Sequence, residues 1–297
     1  MIVIAKKTGQ LGNRLFVFAH FIAFAIENNQ TIINPAFDDY AEFFEITSGS
    51  ICSCYPSNKL SFIFNNPIRK KIYTFIIFTY RFLNILEKQK IKTSVFKIVR
   101  EGNKTNPFLL DTHDFLKLIN NHDIVFADGY FFRCPSFFVK QADAIREYFT
   151  PIEQYRKNID KLIESIRKDC ELLIGVHIRH GDYKDYVGGA YFYTIQQYVQ
   201  VMERIENLFP NQKIKFLICS NAEQDETLFS KFSYNLGTGN IVEDMYSLAR
   251  CDYICGPPSS YSRWAAFYGG NIPLYIIRDP NASICLEDFK VYDIPLG

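Results

Sequence analysis

The chain has 297 residues, 48% of them hydrophobic, with 33 Lys and Arg against 32 Asp and Glu and a net charge of +1. That length supports one large core or two domains of ordinary size, and the balanced charge excludes the broad basic field of a nucleic-acid-binding protein. No basic n-region leads into an apolar h-region and cleavage site, and no apolar run reaches bilayer-spanning length, so a cytoplasmic location is expected.

In chain order, residues 2–5 read as a first strand. It runs into Gly9-Gln10-Leu11-Gly12-Asn13-Arg14 and then into a helical apolar run over 15–26. Strand, glycine turn and helix together open a nucleotide-binding type of layer. Gly9 and Gly12 let backbone N–H groups approach a ligand closely, and a helix N-terminus favours negative charge. The turn fits neither G-x-G-x-x-G nor the P-loop pattern, and Asn13 and Arg14 are its polar candidates. Residues 34–67, broken by Pro35, Pro56 and Pro67, read as loops and short elements.

Residues 69–106 are basic, with Glu87 and Glu101 as the only acids. Within them, 72–86 is apolar around Arg81 and flanked by Lys70, Lys71, Lys88 and Lys90. Such a segment reads as a helix or strand packed in the first domain, or as an interfacial element making peripheral contact with an anionic membrane. Residues 121–130 read as a strand ending in a turn, and 137–149 have helical spacing. Pro151 is where the chain leaves the first domain, which gives domains 1–150 and 151–297, with the last residues packing back on the first.

From there helices are expected over 151–168, 191–208, 222–229, 242–250 and 259–268, and strands over 172–178, 213–219, 252–255 and 273–277. This alternation implies a parallel sheet. Eight cysteines are present, without a C-x-x-C pair, and several lie in or beside buried-strand runs. They read as free thiols of a reducing compartment. Nineteen Tyr and 28 Phe suit a core or a sugar-stacking surface.

Residues 172–183, LLIGVHIRHGDY, begin as a buried parallel strand and end in His177, Arg179, His180 and Asp182. Ligands bind at that end of a strand in an open α/β sheet. A guanidinium matches a phosphate in bidentate geometry and stays charged. Two further patches follow strand ends: Ser220-Asn221-Ala222-Glu223, and Ser259-Ser260-Tyr261-Ser262-Arg263-Trp264. Single serines there also serve as ordinary helix caps. Together the three patches fit an elongated anion such as a nucleoside diphosphate.

These residues resemble glycosyltransferase family 11, the α-1,2-fucosyltransferases, and the related α-1,6 and protein O-fucosyltransferases. H-I-R-H-G-D-Y is similar to that family's H-x-R-R-x-D-Y, and G-Q-L-G-N-R-L-F to its G-x-L-G-N-Q-x-F. The segment from Val242 to Ala266 is similar to its E-D-[LM]-x-x-[ML]-x-x-C…S-S-F-S-W-W-x-A block. The resemblance implies a GT-B fold, two Rossmann-like domains facing across a cleft. It implies inverting transfer of fucose from GDP-fucose to a glycan hydroxyl, α-1,2 to galactose, with no metal or cofactor. The partners it implies are a nucleotide sugar and an oligosaccharide acceptor, in polysaccharide or lipopolysaccharide synthesis.

Carried over residue by residue, Arg179 holds the β-phosphate and His177 lies near guanine and ribose. Ser259, Ser260 and Tyr261 surround the diphosphate and fucose. Gly9, Gly12 and Asn13 form the loop that reaches across the cleft. His180 stands where the family has a second arginine, and Asn221 where related enzymes carry the acid that reads guanine. Candidates for the base are Asp182, Asp185, Glu243 and Asp244. The alternatives are a different nucleotide sugar, or a silent relative that binds glycan or nucleotide.

Overall fold

A computed structural model describes residues 1–57, 66–89 and 93–292. Lys90 and the final residues, with the packing expected of them, lie outside the described residues. The chain divides into two compact units, Met1–Ile152 and Glu153–Gly297.

The first unit is built on strand β1 (Ile2–Ile4) and helix α1 (Leu11–Asn28), joined by the glycine turn. Strands β2 (Ile32–Ile33), β3 (Cys54–Tyr55), β4 (Phe96–Arg100) and β6 (Ile124–Asp128) complete a sheet of order β3-β2-β1-β6-β4. It is parallel except for β3. A parallel pair, β5 (Phe108–Leu109) and β7 (Phe132–Arg133), stands apart from it. Helix α1 buries 13 of its 18 residues, as an all-round apolar helix must.

The other helices of this unit are α2 (Glu45–Ser48), α3 (Asn66–Lys88), α4 (His113–Asn120), α5 (Pro135–Lys140) and α6 (Ala142–Tyr148). The run at 137–149 is therefore two helices, broken at Gln141 (φ −103°, ψ 19°). Much of the phenylalanine is spent on this core. Phe18 meets Phe37, Tyr148 and Phe149 edge-on, with centroids 5.6, 5.4 and 5.7 Å away. The apolar run at 72–86 belongs to α3, and the basic stretch after it holds the buried edge strand β4. Among the described residues no helix is long and apolar enough to cross a membrane.

The second unit begins with α7 (Glu153–Arg167) and the strand β8 (Leu172–Ile178), whose seven residues are all buried. Helix α8 (Ile195–Glu206) follows, started by a Thr194/Gln197 capping box. Strand β9 (Ile214–Ser220) comes next, and then β10 (Tyr234–Leu236), which is short and only half-buried. The helix expected over 222–229 is a 3-10 turn at Glu226–Phe229. Helix α9 (Ile241–Leu248), β11 (Tyr253–Gly256), α10 (Ser260–Tyr268) and β12 (Leu274–Ile276) complete the unit.

Every strand of this second sheet is parallel, in the order β10-β9-β8-β11-β12. The chain winds outward from β8 through β9 to β10, then returns to build β11 and β12 on the other side. The topological switch point lies between β8 and β11, and there the strand ends open a ligand crevice. Gly175 lets α9 sit close: a Cβ there would lie 2.6 Å from Leu248 Cδ2.

Candidate donor site

The polar cluster at the end of β8 stands at that switch point. His177 is 2% exposed, and its ring lies against Tyr261 at 4.8 Å. Its Nδ1 is buried without a hydrogen-bond partner, the kind of atom a bound hydroxyl or base would satisfy. Burial first, and the Arg179 charge second, push its pKa down to about 3 from the ordinary 6.5. Between those values the folded chain binds fewer protons than the unfolded one. The stability His177 contributes is thus fully present above pH about 6.5 and is lost as pH falls toward about 3. Urea titrations over that range should show the decline, and His177→Gln should flatten it.

Arg179 is 8% exposed. Its Nη2 meets Asp182 Oδ1 at 2.8 Å and Oδ2 at 3.0 Å, and its Cζ lies 5.4 Å from the Tyr183 ring centroid. The Tyr183 hydroxyl donates to the Pro258 carbonyl at 2.6 Å, tying the loop after β8 to the loop after β11. The guanidinium is thus fixed before any ligand arrives, by a carboxylate that keeps 47% of its own surface.

His180, which stands where the family has a second arginine, is engaged by its own loop. Its Nε2–H donates to the Tyr193 carbonyl at 2.8 Å, its ring lies 4.7 Å from Phe192, and Gln224 approaches Nδ1 at 3.4 Å. The ring is spent on bracing the loop. Its backbone N–H donates to Asn221 Oδ1 at 2.8 Å, so Asn221 holds the end of β9 to the end of β8. Gly181 permits this approach, since a Cβ on it would lie 2.5 Å from Asn221 Nδ2.

Asn221 also borders a pocket of about 660 Å³, lined with Ser220, Gln224, Gly237, Thr238 and Asp244. Three acids line it: Glu223 and Glu226 are exposed, and Asp244 is buried. Asp244 Oδ1 accepts from Thr238 N at 2.7 Å and from Thr238 Oγ1 at 3.3 Å. Burial raises its pKa to about 6 against the opposing pull of those bonds and of the Gly239 amide. Gly237 is required beside it, because a Cβ there would lie 2.4 Å from Oδ1. Asp244, one of the four base candidates, is thus seated against the turn before α9. Its signal in the sequence was the Gly237-Thr238-Gly239 turn just before α9.

Glu243 is removed from the base candidates: it is 6% exposed, and its Oε1 accepts from Asn158 Nδ2 at 2.6 Å. Asp185 is exposed. Ser259 caps α10, its Oγ accepting from Tyr261 N at 3.2 Å, and Ser260 opens the helix half-buried. The Tyr261 hydroxyl donates to the Ile241 carbonyl at 2.8 Å. Trp264 is fully buried core. His177, Arg179, His180, Asp182, Asn221, Ser259, Ser260 and Tyr261 therefore all belong to the strand ends of one unit.

Gly9, Gly12 and Asn13 belong to the first unit. Gly9 has φ +61°, and a Cβ on it would lie 2.1 Å from Asn13 Nδ2. Gly12 is buried in the first turn of α1 and Asn13 is half-buried beside it. Arg14 braces this loop, donating to the Gly9 and Ala36 carbonyls at 3.2 and 3.1 Å and pairing with Asp39 at 2.8 Å. All eight cysteines are free thiols. Among the described residues no group of three His, Cys, Asp or Glu side chains is placed to hold a metal ion.

Two α/β units of this kind, one sheet wholly and the other mainly parallel, match the GT-B structures of fucosyltransferases. Arabidopsis thaliana FUT1, solved in complex with GDP, superposes with a TM-score of 0.56 at 13% identity, covering 93% of this chain and 70% of that one. The fucosyltransferase NodZ from Bradyrhizobium gives 0.54 at 17% identity, covering 95% and 96%. The glycosyl transferase family 11 profile matches residues 109–288, and the chain belongs to that family. An Escherichia coli α-1,2-colitosyltransferase is 24% identical over 98% of this chain and 96% of its own length. Nodulation protein Z of Bradyrhizobium diazoefficiens is 24% identical over 49% of this chain and 48% of its own.

Proposed function

We propose that this glycosyltransferase moves L-fucose from GDP-fucose to a glycan hydroxyl, α-1,2 to galactose, with inversion and without a metal. One observation carries the reading: a pocket with a fixed carboxylate, Asp244, opens on the same row of strand ends as the buried cation Arg179. Guanine offers two neighbouring donors, N1–H and N2–H, and a carboxylate has two acceptor oxygens for them. Uracil offers one such donor. NodZ soaked with GDP-fucose superposes at a TM-score of 0.52, which supports the nucleotide by likeness of fold.

In the proposed step the acceptor oxygen attacks the sugar's anomeric carbon opposite the diphosphate. The bond from that carbon to the β-phosphate oxygen breaks, and its electron pair stays on the phosphate. Arg179 and the backbone N–H groups opening α10 stabilise that charge. A protein cation then fills the place a divalent ion takes elsewhere. Asp182 orients the guanidinium, and its exposed carboxylate is the proposed acceptor of the hydroxyl proton.

A second donor is favoured by the full-length likeness to an α-1,2-colitosyltransferase. Colitose is L-fucose without its 3-hydroxyl, so the same GDP and 6-deoxy contacts serve both sugars. Incubation with GDP-fucose, GDP-colitose, GDP-mannose and UDP-galactose in the presence of a β-galactoside tests the reading. Transfer from GDP-fucose to the galactose 2-hydroxyl is expected. Faster transfer from GDP-colitose selects the second donor, and transfer from UDP-galactose alone overturns both.

A further inference from the structure

Helix α3 carries apolar residues on opposite sides. One side, with Ile76, Ile77, Tyr80, Leu83 and Leu86, packs on the first unit's sheet against Val3, Phe96, Ile98 and Phe126. The other side exposes Phe75 at 70%, Phe78 at 69%, Phe82 at 56% and Ile85 at 55%. Spacings of three, four and three residues stack these side chains into one stripe. Arg69, which is 2% exposed, fixes the helix's rotation, because its guanidinium donates to the Thr47, Ser48 and Ser50 carbonyls. Large contiguous apolar patches on a soluble chain mark an interaction surface.

The charges on this helix identify the partner. Lys70, Lys71, Arg81 and Lys88 are exposed on it. By helical geometry Lys70, Arg81 and Lys88 form a row along one border of the stripe. The helix's one acid, Glu87, is turned away and pairs with Lys97 at 3.0 Å and Arg100 at 3.1 Å. A second copy meeting this face would bring the same cations and no acid of this helix to balance them. An anionic bilayer complements both features, with headgroup phosphates for the cations and the acyl boundary for the phenylalanines.

We propose that α3 is a membrane-docking helix that lies in the plane of an anionic bilayer. Phe75, Phe78, Phe82 and Ile85 enter the interface, and Lys70, Lys71, Arg81 and Lys88 contact the headgroup phosphates. The proposal rests on α3 alone and is independent of the donor sugar.

Flotation with phosphatidylcholine vesicles, with and without phosphatidylglycerol, tests it. The intact chain should float with the phosphatidylglycerol-containing vesicles and release as salt is raised. Phe78→Glu/Phe82→Glu should abolish flotation. Lys70→Gln/Arg81→Gln/Lys88→Gln should weaken it by about fivefold per cation removed. Both variants should keep the parent's melting temperature and donor turnover. Unchanged flotation of the variants, or no flotation of the parent, overturns the proposal. So does a parent dimer that Phe78→Glu/Phe82→Glu dissociates, which would make a second copy the occupant. A sharp fall in that variant's melting temperature also overturns it, since the stripe would then be covered by the chain itself.

Discussion

Arg179→Ala is expected to lower kcat/KM by roughly a thousandfold while the melting temperature stays close to that of the parent. The magnitude is that of removing one fixed donor from a developing oxyanion, about 10²–10³ in rate. Two features make the effect large. The guanidinium is 8% exposed, so little solvent screens it, and its carboxylate partner is already in place at 2.8 Å. It undergoes no reorganisation as charge leaves the sugar. The loss should fall mainly on kcat, because charge on the leaving phosphate peaks in the transition state. Arg179→Lys should recover only part of the rate, since an ammonium keeps the charge without the planar fork. Parent-like kcat in Arg179→Ala would remove the residue from the chemistry.

Asp244→Asn is the second large effect, and it should appear in binding. An amide presents one acceptor where the carboxylate presents two, and turns an N–H₂ toward guanine's own donors. Leaving buried charged-type hydrogen bonds unmade costs about 2 kcal/mol, roughly thirtyfold in affinity for GDP. The parent should also bind GDP in a pH-dependent way. Because burial holds the Asp244 pKa at about 6, affinity should be flat above that pH. Below it, affinity should fall about tenfold per unit as the proton competes with the base. Asp244→Asn should lose this dependence. Calorimetry of GDP binding across that range, on parent and variant, measures both effects.

The elements with one strong periodicity were legible in the sequence. The run 172–178 is a fully buried strand because parallel strands covered on both faces carry no alternation. Strand β10 was missed because three half-buried residues give no period. Strand β4 was hidden by the lysines and arginines around it, although its Phe96, Ile98 and Val99 are buried. The cluster of His177, Arg179 and Asp182 was readable because it lies within six residues of chain.

What joins Asn221 to His180 was not readable. Asn221 lies 41 residues from the amide it holds, and its role follows from β9 pairing with β8. The resemblance places the acid that reads guanine at the end of β9, where this chain has Asn221. The acid proposed for that role, Asp244, stands in the first turn of α9, where burial and the Thr238 amide fix it. His180 stands at the family's second-arginine position, but its Nε2–H donates to the Tyr193 carbonyl. Residue type indicated the chemistry, and packing decided which residues remain open to a ligand.

The central claim is a guanosine diphosphate site formed by Arg179 and Asp244. Calorimetric titration of the intact chain with GDP and, separately, with UDP tests it most directly. The expected result is one GDP site per chain, at least about tenfold tighter than UDP, which matches one lost hydrogen bond to a charged acceptor. Equal affinity for GDP and UDP, or tighter binding of UDP, would contradict it.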